Sequence, residues 1–178
     1  MKNFLVSISG PTGIGKTAWA VRLAQHYQTE ILSVDSRQFY REMRIGTAVP
    51  TEEELQAVPH HFIQHKSIHE SYSVGDFREE ALGRIRELFQ HHRLLILVGG
   101  SGLYLDALTK GLDEFPRVDT GIREALIRDF EKGGIAPLQE LLAEKDPDYH
   151  ARVDLNNPHR LIRALEICLV TGEAYSSF

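Results

Sequence analysis

Apolar residues fall into short unbroken runs that alternate with longer stretches at helical spacing. Residues 4–9 (FLVSIS) read as a buried strand. A helix is predicted from about Lys16 to Tyr27, with Ala18, Val21, Leu23 and Ala24 as its apolar positions. ILSV at 31–34 reads as a second strand, 41–60 as loops around a short helix, and FIQHKSI at 62–68 as a further strand. From Val74 to His91 the pattern is strongly helical: Ser73 is placed to cap it, and Phe77, Ala81, Ile85 and Leu88 recur on one face. LLILV at 94–98 lacks alternation and is predicted to be buried on both faces.

Strands alternating with helices imply an α/β fold with a parallel sheet covered on both sides. The pattern changes after about Gly111. From there it is helical, interrupted by GGIAP and DPDY, with a last helix at about Pro158–Thr171 that stops at Thr171-Gly172. The expected division is a P-loop α/β core at 1–111, a helical insertion at 112–154, and a helix at 155–178 that rejoins the core.

Composition narrows the picture modestly. The 178 residues are 42% hydrophobic and 25% charged, as in ordinary globular domains. No apolar run has the length of a membrane span, and the N-terminus lacks a cleavage pattern, so no membrane association is expected. Cys168 is the single cysteine, which excludes an intrachain disulfide and fits a cytoplasmic setting; its apolar context, LIRALEICLV, makes it a core residue. A net charge of −5 argues against non-specific coating of nucleic acid, though not against a local basic surface. His60, His61, His65 and His69 cluster in sequence with no cysteine near them, so roles other than metal binding are expected.

The sharpest chemistry lies at Gly10-Pro11-Thr12-Gly13-Ile14-Gly15-Lys16-Thr17, which matches G-x-x-x-x-G-K-[ST] between a predicted strand and a predicted helix. Glycines let backbone N–H groups turn toward phosphate oxygens, and the helix N-terminus adds partial positive charge. Lys16 would neutralise the terminal phosphates and Thr17 would ligate Mg²⁺. The later strand LLILV ends in Gly99-Gly100-Ser101-Gly102 with no aspartate, which weakens a plain ATPase reading. That turn either brackets a second phosphate or substrate, or simply joins strand to helix. Asp35 stands at the carboxyl end of the second strand, the edge where open parallel sheets bind ligands. It suits a general base, an indirect metal partner, or a capping residue. Next to it, Gln38 could read a base edge, and Phe39 or Tyr40 could stack on one.

Together the motifs closely resemble the tRNA dimethylallyltransferases, also called tRNA isopentenyltransferases. The matching segments are GPTGIGKT (10–17), DSRQFY (35–40), IGTAVP (45–50), PHHFI (59–63), YSVGDF (72–77), VGGSGLY (98–104) and NNPHRLIRALEICLVTG (156–172), in the family's order. The resemblance implies transfer of a dimethylallyl group from dimethylallyl diphosphate to the exocyclic amine of the adenosine 3′ of the anticodon, with Mg²⁺ assisting. It makes the P-loop the diphosphate site and Asp35 the base, with Lys16 and Ser101 beside the reacting groups. It places Asp35, Ser36, Arg37, Gln38 and Ser101 against the flipped adenosine and its neighbours. It assigns further tRNA contacts to Arg123 and to His159, Arg160, Leu161, Ile162 and Arg163. A tRNA anticodon stem-loop is the expected partner of a monomer. Ser101 replaces the family's usual threonine and keeps the hydroxyl, and Val49 stands where the family usually has lysine. Family members also run considerably longer. The rival expectations are an adenylate isopentenyltransferase acting on free AMP, ADP or ATP, a P-loop small-molecule kinase, and a non-catalytic RNA-binding module.

Overall fold

The computed structural model describes residues 2–112 and 120–178. It divides into two compact units, 1–112 and 113–178. Residues 113–119, at the start of the expected helical section, lie outside the described residues.

The first unit is built on a parallel sheet of four strands, β1 (Phe4–Ser9), β2 (Ile31–Ser33), β3 (His60–His61) and β4 (Leu94–Gly99), in the order β1-β4-β2-β3. Helix α1 (Lys16–Tyr27) packs on one face and α3 (Val74–Leu88) on the other. β4 shows how the pleat serves both: Ile96 and Val98 join Ala20, Val21 and Ala24 of α1, while Leu95 and Leu97 join Phe77, Ala81 and Ile85 of α3. Within α1 the inward stripe includes Ala20, and Ala18 is exposed, a displacement from the expected face. Ser73 caps α3 as predicted, accepting from the Asp76 amide (3.2 Å), and the Asp76 carboxylate closes a capping box on the Ser73 amide (2.8 Å). The short helix expected in 41–60 is α2 (Glu52–Ala57), closed by a similar box between Thr51 and Glu54.

Two strand expectations need correction. β1 is an edge strand whose Phe4, Leu5 and Val6 are all exposed, so the run 4–9 is not buried. In place of a strand at 62–68, β3 stops at His61, because Phe62 and Gln64 take left-handed backbone angles (φ 63° and 49°) that no strand accommodates. Only an isolated parallel bridge, Tyr40 to Lys66, is described there. The aromatic residues of this region pack inward: Phe39 is fully buried, stacked on Phe77 at 5.0 Å and edge-on to Tyr72 and Tyr104.

The second unit contains α5 (Thr120–Gly133), α6 (Ala136–Lys145), α7 (Pro147–His150) and α8 (Pro158–Thr171), after α4 (Gly102–Thr109) has closed the first. Its core joins Leu126 of α5, Leu138 and Leu142 of α6, and Leu161, Ala164 and Leu165 of α8. The helix expected to rejoin the α/β core is therefore packed among α5 and α6, within one unit that runs past residue 154. Gly172 ends α8 in the left-handed conformation the Thr171-Gly172 signal implied. Cys168 is buried, as its context predicted. Asp146, itself buried, accepts from the Tyr149 amide (2.9 Å) and from the amide and hydroxyl of Ser176 (2.7 and 2.8 Å), fastening the final 3₁₀ turn.

Candidate active site

β1 and β4 end side by side, with Ser9 paired to Gly99, and β2 ends on the far side of β4. Three connections therefore leave the same sheet edge: the P-loop, the turn after β2, and the Gly99-Gly100-Ser101 turn. Gly13 and Gly15 adopt positive φ (84° and 87°), which turns the loop back on itself before α1 begins at Lys16. The Lys16 ammonium donates to the Pro11 carbonyl at 2.7 Å, a bond that folds the lysine over the loop. Gly99 is required for another reason. A Cβ there would lie 2.6 Å from the Val34 carbonyl carbon, so only glycine lets the ends of β4 and β2 approach this closely.

Two cavities open at this edge. The first, about 240 Å³, is lined by Thr12, Gly13, Gly15, Lys16 and Thr17 of the P-loop, with an outer wall that includes Ala48, Pro50, Ile63 and Val98. The P-loop groups thus share this cavity with apolar side chains and with Asp35, Gln38, Glu54 and His60. The second, about 430 Å³, is mainly polar and is lined by Ser36, Arg37, Gly46, Thr47, Gly100 and Ser101. Asp35 and Thr12 line both cavities.

The turn after β2 is held by its own side chains. Asp35 accepts from the Arg37 amide at 3.1 Å, and Ser101 accepts from the Ser36 amide at 3.0 Å. The Ser36 and Ser101 hydroxyls lie 3.2 Å apart, which joins the β2 and β4 turns. The hydroxyl that the sequence keeps at Ser101 is therefore engaged in shaping the second cavity. Asp35, Ser36, Arg37 and Ser101 line the second cavity together; Thr12, Gly13, Gly15, Lys16 and Thr17 line the first, and Gly10, Pro11 and Ile14 are not among its lining residues.

Gln38 lines the first cavity with its amide engaged in the protein. It is buried, its amide nitrogen donates to the carbonyls of Thr47 (3.2 Å) and Ala48 (2.8 Å), and its amide oxygen accepts from Ser33 (3.0 Å). Its polar atoms fasten the 47–48 segment beside the cavities. Phe39 is likewise a core residue and not a stacking platform.

In the second unit, Arg123 of α5 and His159, Arg160 and Arg163 of α8 are exposed, as an RNA contact requires. Leu161 and Ile162 are buried in the helical core, with 0% and 4% exposure. Their expected contact with tRNA is corrected: they are the apolar face of the helix whose other face carries the basic residues.

Other residues were missed. His60 lines the P-loop cavity; its Nδ1 sits 2.9 Å from the Val58 carbonyl, and its buried Nε2 has no hydrogen-bond partner. Burial holds the His60 imidazole below its ordinary pKa. No metal-binding group of three or more histidine, cysteine, aspartate or glutamate side chains occurs among the described residues. His61 instead pairs with Glu30 at 2.6 Å, and His65 Nε2 lies 3.3 Å from the Tyr72 hydroxyl. Glu166 also escaped notice, although a glutamate inside the apolar stripe ALEIC signals a buried charge in need of a partner.

Fold and cavities define an α/β protein whose P-loop cavity adjoins a mainly polar one at the carboxyl edge of its parallel sheet. The family model described as IPP transferase matches residues 38–178, and the chain belongs to that family. It is similar to the tRNA dimethylallyltransferase of Christiangramia forsetii, 55% identical over all of this chain and 59% of the relative. The tRNA dimethylallyltransferase of Flavobacterium johnsoniae is 51% identical over 98% of this chain and 59% of its own length. The chain thus spans about three fifths of these relatives. Among solved structures, the full-length tRNA isopentenylpyrophosphate transferase of Bacillus halodurans is 43% identical, with a TM-score of 0.61 over 97% of this chain and 57% of that one. A eukaryotic dimethylallyltransferase caught acting on tRNA superposes with a TM-score of 0.78 at 28% identity, over 99% of this chain and 44% of its own.

Proposed function

We propose that this protein transfers a dimethylallyl group from dimethylallyl diphosphate to the exocyclic amine of the adenosine just 3′ of the anticodon in tRNA. The observation that carries this reading is the position of Asp35, on the shared wall of a phosphate-directed cavity and a polar one. A group-transfer enzyme needs its donor and acceptor in adjoining sites with a proton acceptor between them.

In this reading the P-loop amides and Lys16 grip the diphosphate, and the apolar wall of Ala48, Pro50 and Ile63 takes the hydrocarbon end. The adenosine leaves the anticodon-loop stack and enters the polar cavity beside Ser36 and Ser101. The amine nitrogen bonds to the first carbon of the dimethylallyl group as the carbon–oxygen bond breaks. The electron pair of that bond leaves on diphosphate, whose growing charge the P-loop donors and Lys16 stabilise. Asp35 accepts the proton that the amine nitrogen loses. The Thr17 hydroxyl, lining the same cavity as the P-loop lysine, would hold Mg²⁺, which suits a site with few protein ligands because phosphates and water can supply the rest. When bound, Mg²⁺ supplies charge neutralisation on the diphosphate.

The similarity to enzymes named for tRNA and the exposed arginines of α5 and α8 favour tRNA over a free nucleotide as acceptor. A cytoplasmic location follows from that substrate; no helix among the described residues is long and apolar enough to cross a membrane. The test is transfer of label from dimethylallyl diphosphate, with Mg²⁺, to an anticodon stem-loop and to AMP in parallel. Label on the stem-loop, reduced about 10²–10⁴-fold by Asp35→Ala, is expected. Label on AMP alone would replace tRNA by a free nucleotide, and transfer to neither acceptor would overturn the prenyltransferase reading for this chain.

A further inference from the structure

Glu166 is the one glutamate buried among the described residues, at 2% exposure, and it lies on α8 among Leu165, Ile167 and the rest of an apolar face. A carboxylate in such a place is costly unless its charge is matched. Two cations match it. Arg123 of α5 donates from Nη1 to Oε1 at 2.8 Å, and Arg163, one turn before Glu166 on α8, donates from Nη1 to Oε2 at 3.4 Å. Each carboxylate oxygen thus holds one guanidinium, and the two arginines come from different helices.

The arginine ends of the cluster remain open to solvent, with side chains 47% and 44% exposed. A cluster that served only to staple α5 to α8 would need one arginine. This one anchors two guanidiniums on a single carboxylate while both stay nearly half exposed. Fixed planar forks at a set spacing suit the phosphate oxygens of a nucleic-acid backbone, which a mobile arginine would engage only after losing conformational freedom. His159 and Arg160 lie exposed at the beginning of the same helix and extend the basic surface.

We propose that Glu166 is a positioning residue for tRNA binding: its buried carboxylate fixes Arg123 and Arg163 as a paired phosphate clamp. This rests on the tRNA reading above and adds to it a residue that never touches RNA. The proposal makes a prediction opposite in sign to simple electrostatics. Glu166→Gln removes a negative charge from a basic surface, so a charge-only account expects RNA to bind equally or more tightly, with a steeper salt dependence. Positioning expects weaker binding despite the added positive charge.

The test is binding of the full chain to a fluorescent anticodon stem-loop, with Glu166→Gln, Arg123→Gln and the double variant compared at one salt concentration. We expect Glu166→Gln to weaken binding threefold or more, and to have a smaller effect once Arg123 is already Gln, where only Arg163 remains to be released. Unchanged or tighter binding, or an equal loss in both backgrounds, would overturn the positioning role. Should Glu166→Gln fail to fold, Arg123→Lys decides: it keeps the charge and loses the fork, so a threefold loss supports the proposal and an unchanged affinity overturns it. Prenyl transfer by the wild-type chain separates the two readings. A chain that modifies the stem-loop but tolerates these substitutions loses only the clamp, and one that neither binds nor modifies it loses both.

Discussion

β1 and β4 are neighbours of the same length, paired residue by residue from Phe4 and Leu94 to Ser9 and Gly99. In sequence they look alike, FLVSIS against LLILVG. In the fold they are opposites: Leu95, Ile96 and Leu97 have no exposure, while Phe4, Leu5 and Val6 are 57%, 38% and 37% exposed. A run of apolar residues indicates that a strand will form, because it marks surface that gains from leaving water. How deeply the strand lies depends on what covers it. β4 has a strand on each side and a helix on each face, whereas β1 has one strand beside it, which leaves half its surroundings open.

The largest expected effect exploits that contrast. Leu97→Ala removes side-chain volume from a closed core, and should cost about 2–5 kcal/mol through lost transfer energy and the cavity left behind. Leu5→Ala, at an equally apolar position one strand away, should cost less than about 1 kcal/mol, because the leucine is already partly in water. Denaturant unfolding of the two variants measures both. Equal losses would mean that β1 is covered in solution.

A second contrast lies at the strand ends. Gly99→Ala drives a methyl group to 2.6 Å from the Val34 backbone and must move the end of β2, where Asp35 is held. It should destabilise by about 1–3 kcal/mol. Prenyl transfer should fall further than stability does, since the shift displaces the wall shared by the two cavities. Ser9→Ala, at the paired position on exposed β1, should change stability by less than about 0.5 kcal/mol. A Gly99→Ala enzyme with normal transfer would show that the spacing of the β2 and β4 ends is not part of the site.

These contrasts mark what can be read from sequence. The P-loop, the Ser73 cap, the Gly172 stop and the two-sided burial of β4 are written in local spacing, and local spacing suffices for them. Asp35 could be placed at a sheet edge from its position after ILSV alone. Its place between two cavities depends on Thr12, Thr47 and Ser101, which only the fold assembles. Gln38 shows the limit most clearly. Its amide chemistry fits a base edge or a carbonyl equally well, and the choice is made by a loop nine and ten residues away. Leu161 and Ile162 stand in the same stretch as Arg160 and Arg163, and resemblance at the level of a segment does not say which face of its helix meets RNA. Helical periodicity separates the buried face from the exposed one, and it also exposes Glu166 as the polar residue out of place.

The smallest expected effect compares the two edges of the sheet. At the β3 edge, burial lowers the pKa of His60, and it does the same at the nearby His65, whose neighbour Lys66 adds to the shift. His60 also faces Glu54 of α2, which opposes the shift, and His61, which reinforces it; Glu80, Glu70 and Arg41 surround His65. An imidazole with a depressed folded pKa stays neutral in the native state at a pH where the unfolded chain, with an ordinary value near 6.5, already binds a proton. Native stability is therefore full above about pH 6.5 and declines as pH falls through the folded values. Glu30 also has a depressed pKa, because the bonds and charges of His61 and His92 outweigh the upward push of burial. Its contribution is lost only below the ordinary carboxylate range, so measurements between pH 7 and pH 5 isolate the histidines. The unfolding midpoint should drop by roughly 1–3 °C across that window, and His60→Gln should flatten the slope. β1 carries no titratable side chain, so Leu5→Ala should leave the slope unchanged. A slope that His60→Gln does not alter would rule out His60 as its source, and His65→Gln then tests the second buried imidazole.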